Sequence, residues 1–331
     1  MFPDKIYYEP DSLEYPLGQE LSQKYRDRVW IPIENHNNIE ELRQNPNREF
    51  TRMKQYLIIG TRKTHRYVPN EKVSDFLVPY TSSGCTAMCL YCYLVCNYNK
   101  CSYLRLFTNR EEMLEKIIRT ASRSDRENTF EIGSNSDLVL ENTITQNLVW
   151  TIQEFAKSPK GRLTFPTKFD MVEPLLGLDH QGRIIFRMSV NPQPVISSVE
   201  LGTSSLRRRI HALNLMADAG YKTGLLIAPI ILLDDYQALY EGLLDQLALE
   251  LSAKARRNSF LELIFMTYSF VHRKINEEAF PKSPDLFNPE KMKGRGMGKY
   301  CYRPEFRQEA EKWFIDKIHE KLPGMEILYI S

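Results

Sequence analysis

From Asp75 onward, short apolar runs alternate with amphipathic stretches at helical period. Residues 76–78 precede a helical pattern over 110–122, residues 130–132 one over 146–156, and residues 163–165 a short helix near 171–175. Residues 184–190 lead to a helix over 204–219, residues 222–228 to one over 236–251, and residues 260–265 form a sixth strand. The 204–219 pattern is the strongest: Leu206, Ile210, Leu213 and Met216 recur at helical spacing, Ser204 or Ser205 can cap it, and Gly220 can end it. Six strand–helix units running in one sense predict a parallel sheet with right-handed crossovers. The expectation is an α/β fold, a partial (β/α)6 barrel over residues 75–270, whose working face lies at the carboxyl ends of the strands.

The flanks read differently. Residues 1–74 form a polar, Tyr-rich N-terminal extension expected to pack on the barrel, with a helix near 17–26 and a strand near 55–60. No chemistry is legible there. Its basic knot, Arg62, Lys63, His65 and Arg66, reads as a solvated turn or as a nucleic-acid contact. In residues 271–331, Pro281, Pro284 and Pro289 punctuate a loop, after which Lys291, Lys293, Arg295, Lys299 and Arg303 accumulate with no acidic residue among them. Tyr300 and Tyr302 are interleaved with these charges, and Gly294, Gly296 and Gly298 make the segment pliable. Charge with aromatic stacking is the composition of a nucleic-acid surface, though a solvated loop shares it. A helix over 305–322 and a strand over 326–330 close the chain.

Composition narrows the partners. At 331 residues with 42% hydrophobic content the chain can bury a substantial core, and a net charge of +2 means that any affinity for a polyanion must come from local patches. No basic-then-apolar leader opens it and no apolar run is long enough to span a bilayer, so no membrane role and a cytoplasmic location are expected. Of six cysteines, five fall between Cys85 and Cys101, a concentration that favours metal or redox work over disulfides.

Cys85, Cys89 and Cys92 stand at C-x3-C-x2-C spacing in a tight loop just past the first strand. Three thiolates from such a loop can hold three irons of a 4Fe-4S cluster and leave the fourth iron for a ligand that is not protein. Cys96 follows at a further C-x3 spacing, so a closed four-thiolate zinc site in a non-catalytic DNA-binding protein is the competing reading. With Tyr91 directly before the third cysteine, the loop resembles that of the radical S-adenosylmethionine (SAM) superfamily, whose open iron chelates SAM.

The resemblance extends from about Ser74 to the end. Gly84-Cys85 through Tyr93, Ser136-Asp137, Pro166-Thr167-Lys168-Phe169, Arg187-Met188-Ser189-Val190-Asn191, Ala219-Gly220-Tyr221-Lys222 with Ala228-Pro229, and Gly298-Lys299-Tyr300-Cys301-Tyr302-Arg303 follow in order as in the spore photoproduct lyase family. That resemblance implies a DNA repair lyase that reverses 5-thyminyl-5,6-dihydrothymine through a 5'-deoxyadenosyl radical, working in the cytoplasm or the spore core. It also implies an electron donor such as flavodoxin or ferredoxin, and DNA containing thymine lesions as partner. Carried over by position, Cys85, Cys89 and Cys92 ligate the cluster, while Ser136, Lys168, Ser189, Ala228 and Tyr91 hold SAM. Tyr91 and Tyr93 belong to the radical-return relay, and Arg295, Lys299, Tyr300, Tyr302 and Arg303 face the DNA and lesion.

One position departs from the family. Ser134 stands where the family carries its hydrogen-donating cysteine, and a hydroxyl O–H is too strong a bond to give its hydrogen to an allylic carbon radical. Another thiol must serve, or the substrate has shifted to another nucleic-acid lesion or nucleotide. Cys96, four residues past the last cluster ligand, is the expected donor, with Cys101 as its partner.

Overall fold

The structure is a computed structural model that describes residues 3–96, 101 and 103–331, the side chain of Cys96 excepted. Its largest sheet has eight strands, in spatial order Val68–Pro69, Phe76–Leu77, Thr129–Glu131, Arg162–Thr167, Ile184–Val190, Lys222–Ile230, Ser259–Phe265 and Ile327–Ile330. Neighbours in space are neighbours in sequence, and every pair is parallel except the first. A doubly wound sheet reverses its strand order at a switch point. This one never reverses, so its twist curls it into a partial barrel with one working end. All six expected strands are present, joined by an antiparallel edge strand and by the chain's last strand.

The central strand Ile184–Val190 is buried at every position, the pattern of a parallel strand covered by helices on one face and by the barrel interior on the other. Helix Leu206–Asp218 covers it with Leu206, Ile210, Leu213 and Met216. Gly220 ends that helix as expected: Tyr221 N–H donates to Met216 O at 3.1 Å and Gly220 N–H to Ala217 O at 3.1 Å, with Gly220 at φ +90°. This paired closure needs a left-handed residue, which glycine adopts without a Cβ penalty.

The N-terminal extension builds a second sheet with the stem of the cysteine loop. Its strand order is Val29–Pro32, Lys5–Tyr8, Leu57–Gly60, Leu104–Phe107 and Ser82–Ser83, and Ser82–Ser83 run directly into Gly84 and Cys85. The expected helix and strand of this region are present as Pro16–Lys24 and Leu57–Gly60. The other strands, at most four residues each, are too short for periodicity to reveal. In the basic knot, Arg62 works internally: its Nε donates to Tyr80 O at 2.8 Å and its guanidinium lies 3.8 Å from the Phe107 ring centroid.

The expected pliable C-terminal loop is instead ordered. Helix Phe270–Ala279 is followed by a hairpin of Met292–Gly296 and Lys299–Tyr302, which pairs with Tyr268–Ser269 in a three-stranded antiparallel sheet. Gly296, Met297 and Gly298 turn the hairpin at φ +90°, +49° and +67°. The glycines that read as flexibility serve a tight turn.

Candidate active site

Two pairings hold the cysteine loop against the carboxyl ends of the strands. Gly84 forms a parallel bridge with Ser136, its N–H donating to Asn135 O at 2.7 Å. Met88–Cys89 pairs antiparallel with Glu200–Leu201, in the segment that follows strand Ile184–Val190. Cys85, Cys89 and Cys92 are free thiols, each partly buried, and all three line a single cavity of about 350 Å³.

The same cavity is lined by Tyr91, Tyr93, Ser134, Ser136, Lys168, Ser189 and Ala228. The strand-end rule therefore brings together the residues expected to hold cluster and SAM. Among the described residues no three His, Cys, Asp or Glu side chains are gathered for a single metal ion. The three cysteines instead line one space, and soft sulfur donors suit an iron-sulfur cluster. Burial pushes the Cys85 thiol up to about 12 and also raises the Cys89 thiol. Deprotonated sulfur is stable in such surroundings only against a cation.

Lys168 reaches across the cavity wall. Its Nζ donates to Ser189 Oγ and, at 2.8 Å, to Ala228 O, pairs with Glu200 Oε1 at 3.1 Å, and lies 5.7 Å from the Tyr91 ring centroid. Glu200 also accepts from the Tyr91 hydroxyl and from Asn191 Nδ2 at 2.9 Å, and pairs with the fully buried Arg209 at 2.7 Å. Burial alone would raise the Glu200 carboxyl, but Lys168 and Arg209 outweigh it and bring it down to about 2. Sequence reading passed over Glu200 and Arg209 and gave Asn191, though part of a matching motif, no role. The partners are 9 residues apart in each case, a separation that marks no face of a helix or strand.

Asp137 is a structural clamp. It caps helix Leu138–Thr145 through Leu140 N–H at 3.1 Å, and accepts from Thr167 Oγ1 at 2.8 Å and Lys168 N–H at 2.9 Å. It thus ties the second barrel loop to the third. Ser82 donates to the buried Glu141, and its Oγ lies 2.8 Å from Ser136 Oγ, which can donate to it. Tyr93, half exposed at the mouth, donates to Ser134 O at 2.7 Å, with the Asn135 side-chain amide 3.0 Å from the same hydroxyl. Ser134 Oγ donates to Glu131 at 3.0 Å.

Two expectations need correction. Cys101 is fully buried in an apolar cluster with Tyr7, Phe50, Met53 and Tyr103 and does not line the cavity, because the N-terminal sheet covers it. Tyr302 does not face DNA: it is buried against Phe265, and its hydroxyl accepts from Leu232 N–H at 2.9 Å. Tyr300, two residues earlier on the same face of the strand, packs partly buried on Phe287. Arg303 is half buried, at the start of helix Pro304–Lys321, with its N–H donating to Lys291 O at 2.8 Å. Arg295 and Lys299 are exposed. The side chain of Cys96, the expected donor, lies outside the described residues.

Comparison with known proteins matches the whole chain. A sequence model of the family "Spore photoproduct lyase" covers residues 1–331. The spore photoproduct lyase of Bacillus subtilis is 32% identical over 99% of this chain and 98% of its own, and that of Clostridium acetobutylicum 27% identical over 98% of each. Among solved structures, a spore photoproduct lyase complexed with dinucleoside spore photoproduct superposes with TM-score 0.91 at 29% identity over 99% of both chains. So does a double mutant of such an enzyme with bound AdoMet and the same dinucleoside. With its sequence matched from end to end and its cysteine loop set at the mouth of a partial barrel, this chain belongs to the spore photoproduct lyase family of radical SAM DNA repair lyases.

Proposed function

We propose that this enzyme reverses 5-thyminyl-5,6-dihydrothymine in DNA to two thymines, returning the last hydrogen from a group other than a thiol at position 134. The observation that carries the reading is the convergence of Cys85, Cys89, Cys92, Lys168, Ser189 and Ala228 on one cavity. Cys85, Cys89 and Cys92 would hold a 4Fe-4S cluster by three irons. When bound, that cluster and SAM, supplied with an electron by a flavodoxin or ferredoxin, provide a 5'-deoxyadenosyl radical at the barrel mouth.

The protein's part is placement. Lys168 offers a point charge to a carboxylate, with Ser136, Ser189, the Ala228 carbonyl and Tyr91 around it. In the lesion, loss of the C6 hydrogen lets the bond bridging the bases break, and the thymine radical that remains takes a hydrogen from the protein. Tyr93 borders that point, because its hydroxyl touches the Ser134 carbonyl. It opens the same short turn, Tyr93–Cys96, that Cys96 closes. Cys96 is therefore our donor, with Tyr93 and Tyr91 as relay; Cys101 does not line the cavity. Arg295 and Lys299 on the hairpin contact the DNA backbone.

The test gives the reduced, reconstituted protein SAM and a spore-photoproduct dinucleotide. We expect thymidylyl-thymidine to form, and Cys96→Ala to lower its yield at least ten-fold while trapped adducts accumulate. Deoxyadenosine release without repair would move the substrate elsewhere; normal yield from Cys96→Ala would remove Cys96 from the mechanism.

A further inference from the structure

One side chain of the N-terminal extension ends at the cysteine loop. Lys54 follows helix Phe50–Met53 and is only 4% exposed. Its Nζ donates to Cys85 O at 2.7 Å and lies 5.3 Å from the Phe50 ring centroid. Lysine is almost never so deeply buried without a partner to hold, because removing an ammonium from water costs several kcal/mol. A neutral donor could hold the Cys85 carbonyl at smaller cost. What the ammonium adds is a fixed positive charge beside the first cluster ligand, next to the buried Phe50, Met53 and Cys101, where water screens it little.

We propose that Lys54 sets the reduction potential of the cluster, its charge favouring the reduced over the oxidised state. The proposal rests on the cluster reading above. Reduction adds one electron, supplied by an external donor, and leaves the cluster more negative by one charge; a cation held nearby stabilises the more negative state. Net charge and hydrogen bonding around the ligands are the levers by which proteins tune such clusters. The extension, otherwise without chemistry, then contributes to the electron-transfer step through a single lysine.

The experiment titrates the full-length reconstituted protein with dithionite in the presence of redox mediators, following the reduced cluster by electron paramagnetic resonance and measuring iron and sulfide in each sample. Lys54→Met and Lys54→Gln should keep wild-type iron and sulfide yet shift the reduction equilibrium against the reduced state by about ten-fold, which is about 59 mV for one electron. Lys54→Arg should recover most of that shift. Wild-type potentials in the Met and Gln variants overturn the proposal. Loss of iron from both neutral variants also overturns it, since the lysine is then a staple for the loop. A wild-type protein without iron and sulfide removes the cluster reading and this proposal together, and is recognised before any potential is measured.

Discussion

At Glu200 one carboxylate serves four partners: Tyr91, Asn191, Lys168 and Arg209. Replacing it by Gln keeps the shape and removes the charge, so Arg209, which is fully buried, loses its counter-ion. Breaking a buried pair from one side costs about 3–5 kcal/mol, and we expect Glu200→Gln to lower urea-unfolding stability by that order at pH 7. The dependence on pH has a definite sign. Because the folded-state carboxyl is held near 2, below its ordinary 4.5, its stabilisation is complete above 4.5 and fades as pH falls toward 2. The gap between wild type and variant should therefore close over that interval; a gap that stays constant would show that the charge is not what matters. None of this was legible beforehand, since Glu200 and Arg209 sit in different local structures and meet only when strand and helix pack. The cysteines were legible because all three lie within one short loop.

At the scale of the element, the C-terminal hairpin separates what composition merged. Its charges and aromatics all read as one surface, but the pleat turns Tyr302 into the core and leaves Arg295 and Lys299 in water. Lys291 is likewise spent internally, pairing with Asp234 at 2.7 Å and reaching Leu232 O at 3.1 Å. If the hairpin contacts phosphates, Arg295 and Lys299 share the work with Lys293, which is exposed as well. The logarithmic dependence of DNA affinity on salt should then flatten by up to about two units when Arg295 and Lys299 become alanine. An unchanged slope leaves Arg295 and Lys299 without a phosphate contact. Barrel strands and the long helices were read correctly because each carries a full repeat of its own period. The hairpin was not, since glycine-rich sequence carries no period and the pairing that orders it comes from Tyr268–Ser269, far back in the chain.

Across the whole molecule the barrel interior is held by a polar layer beneath the cavity. Arg187, 2% exposed on the central strand, pairs with Glu131 at 2.8 Å and Glu262 at 3.1 Å, and Glu262 accepts from the Tyr329 hydroxyl at 2.6 Å. Four strands are thereby joined by side chains as well as by backbone, and Glu131 carries the tie up to Ser134. Arg187→Met strands two carboxylates in the interior, and we expect a loss of about 3–5 kcal/mol in denaturant unfolding, with SAM affinity falling as the mouth loosens. Arg187→Met at wild-type stability would show that the layer is dispensable. Among the described residues no helix is long and apolar enough to cross a membrane. The sequence by itself determined the alternation of strands and helices, the three-cysteine loop and the departure at Ser134, because these depend on local periods, short spacings and single residue types. Only the tertiary structure decided that Lys54 and Glu200 reach the site, that Cys101 and Tyr302 do not, and that the N-terminal strands brace the loop. Those outcomes depend on which surfaces meet across long stretches of chain, and burial then sorts residues of the same chemical type into core and site.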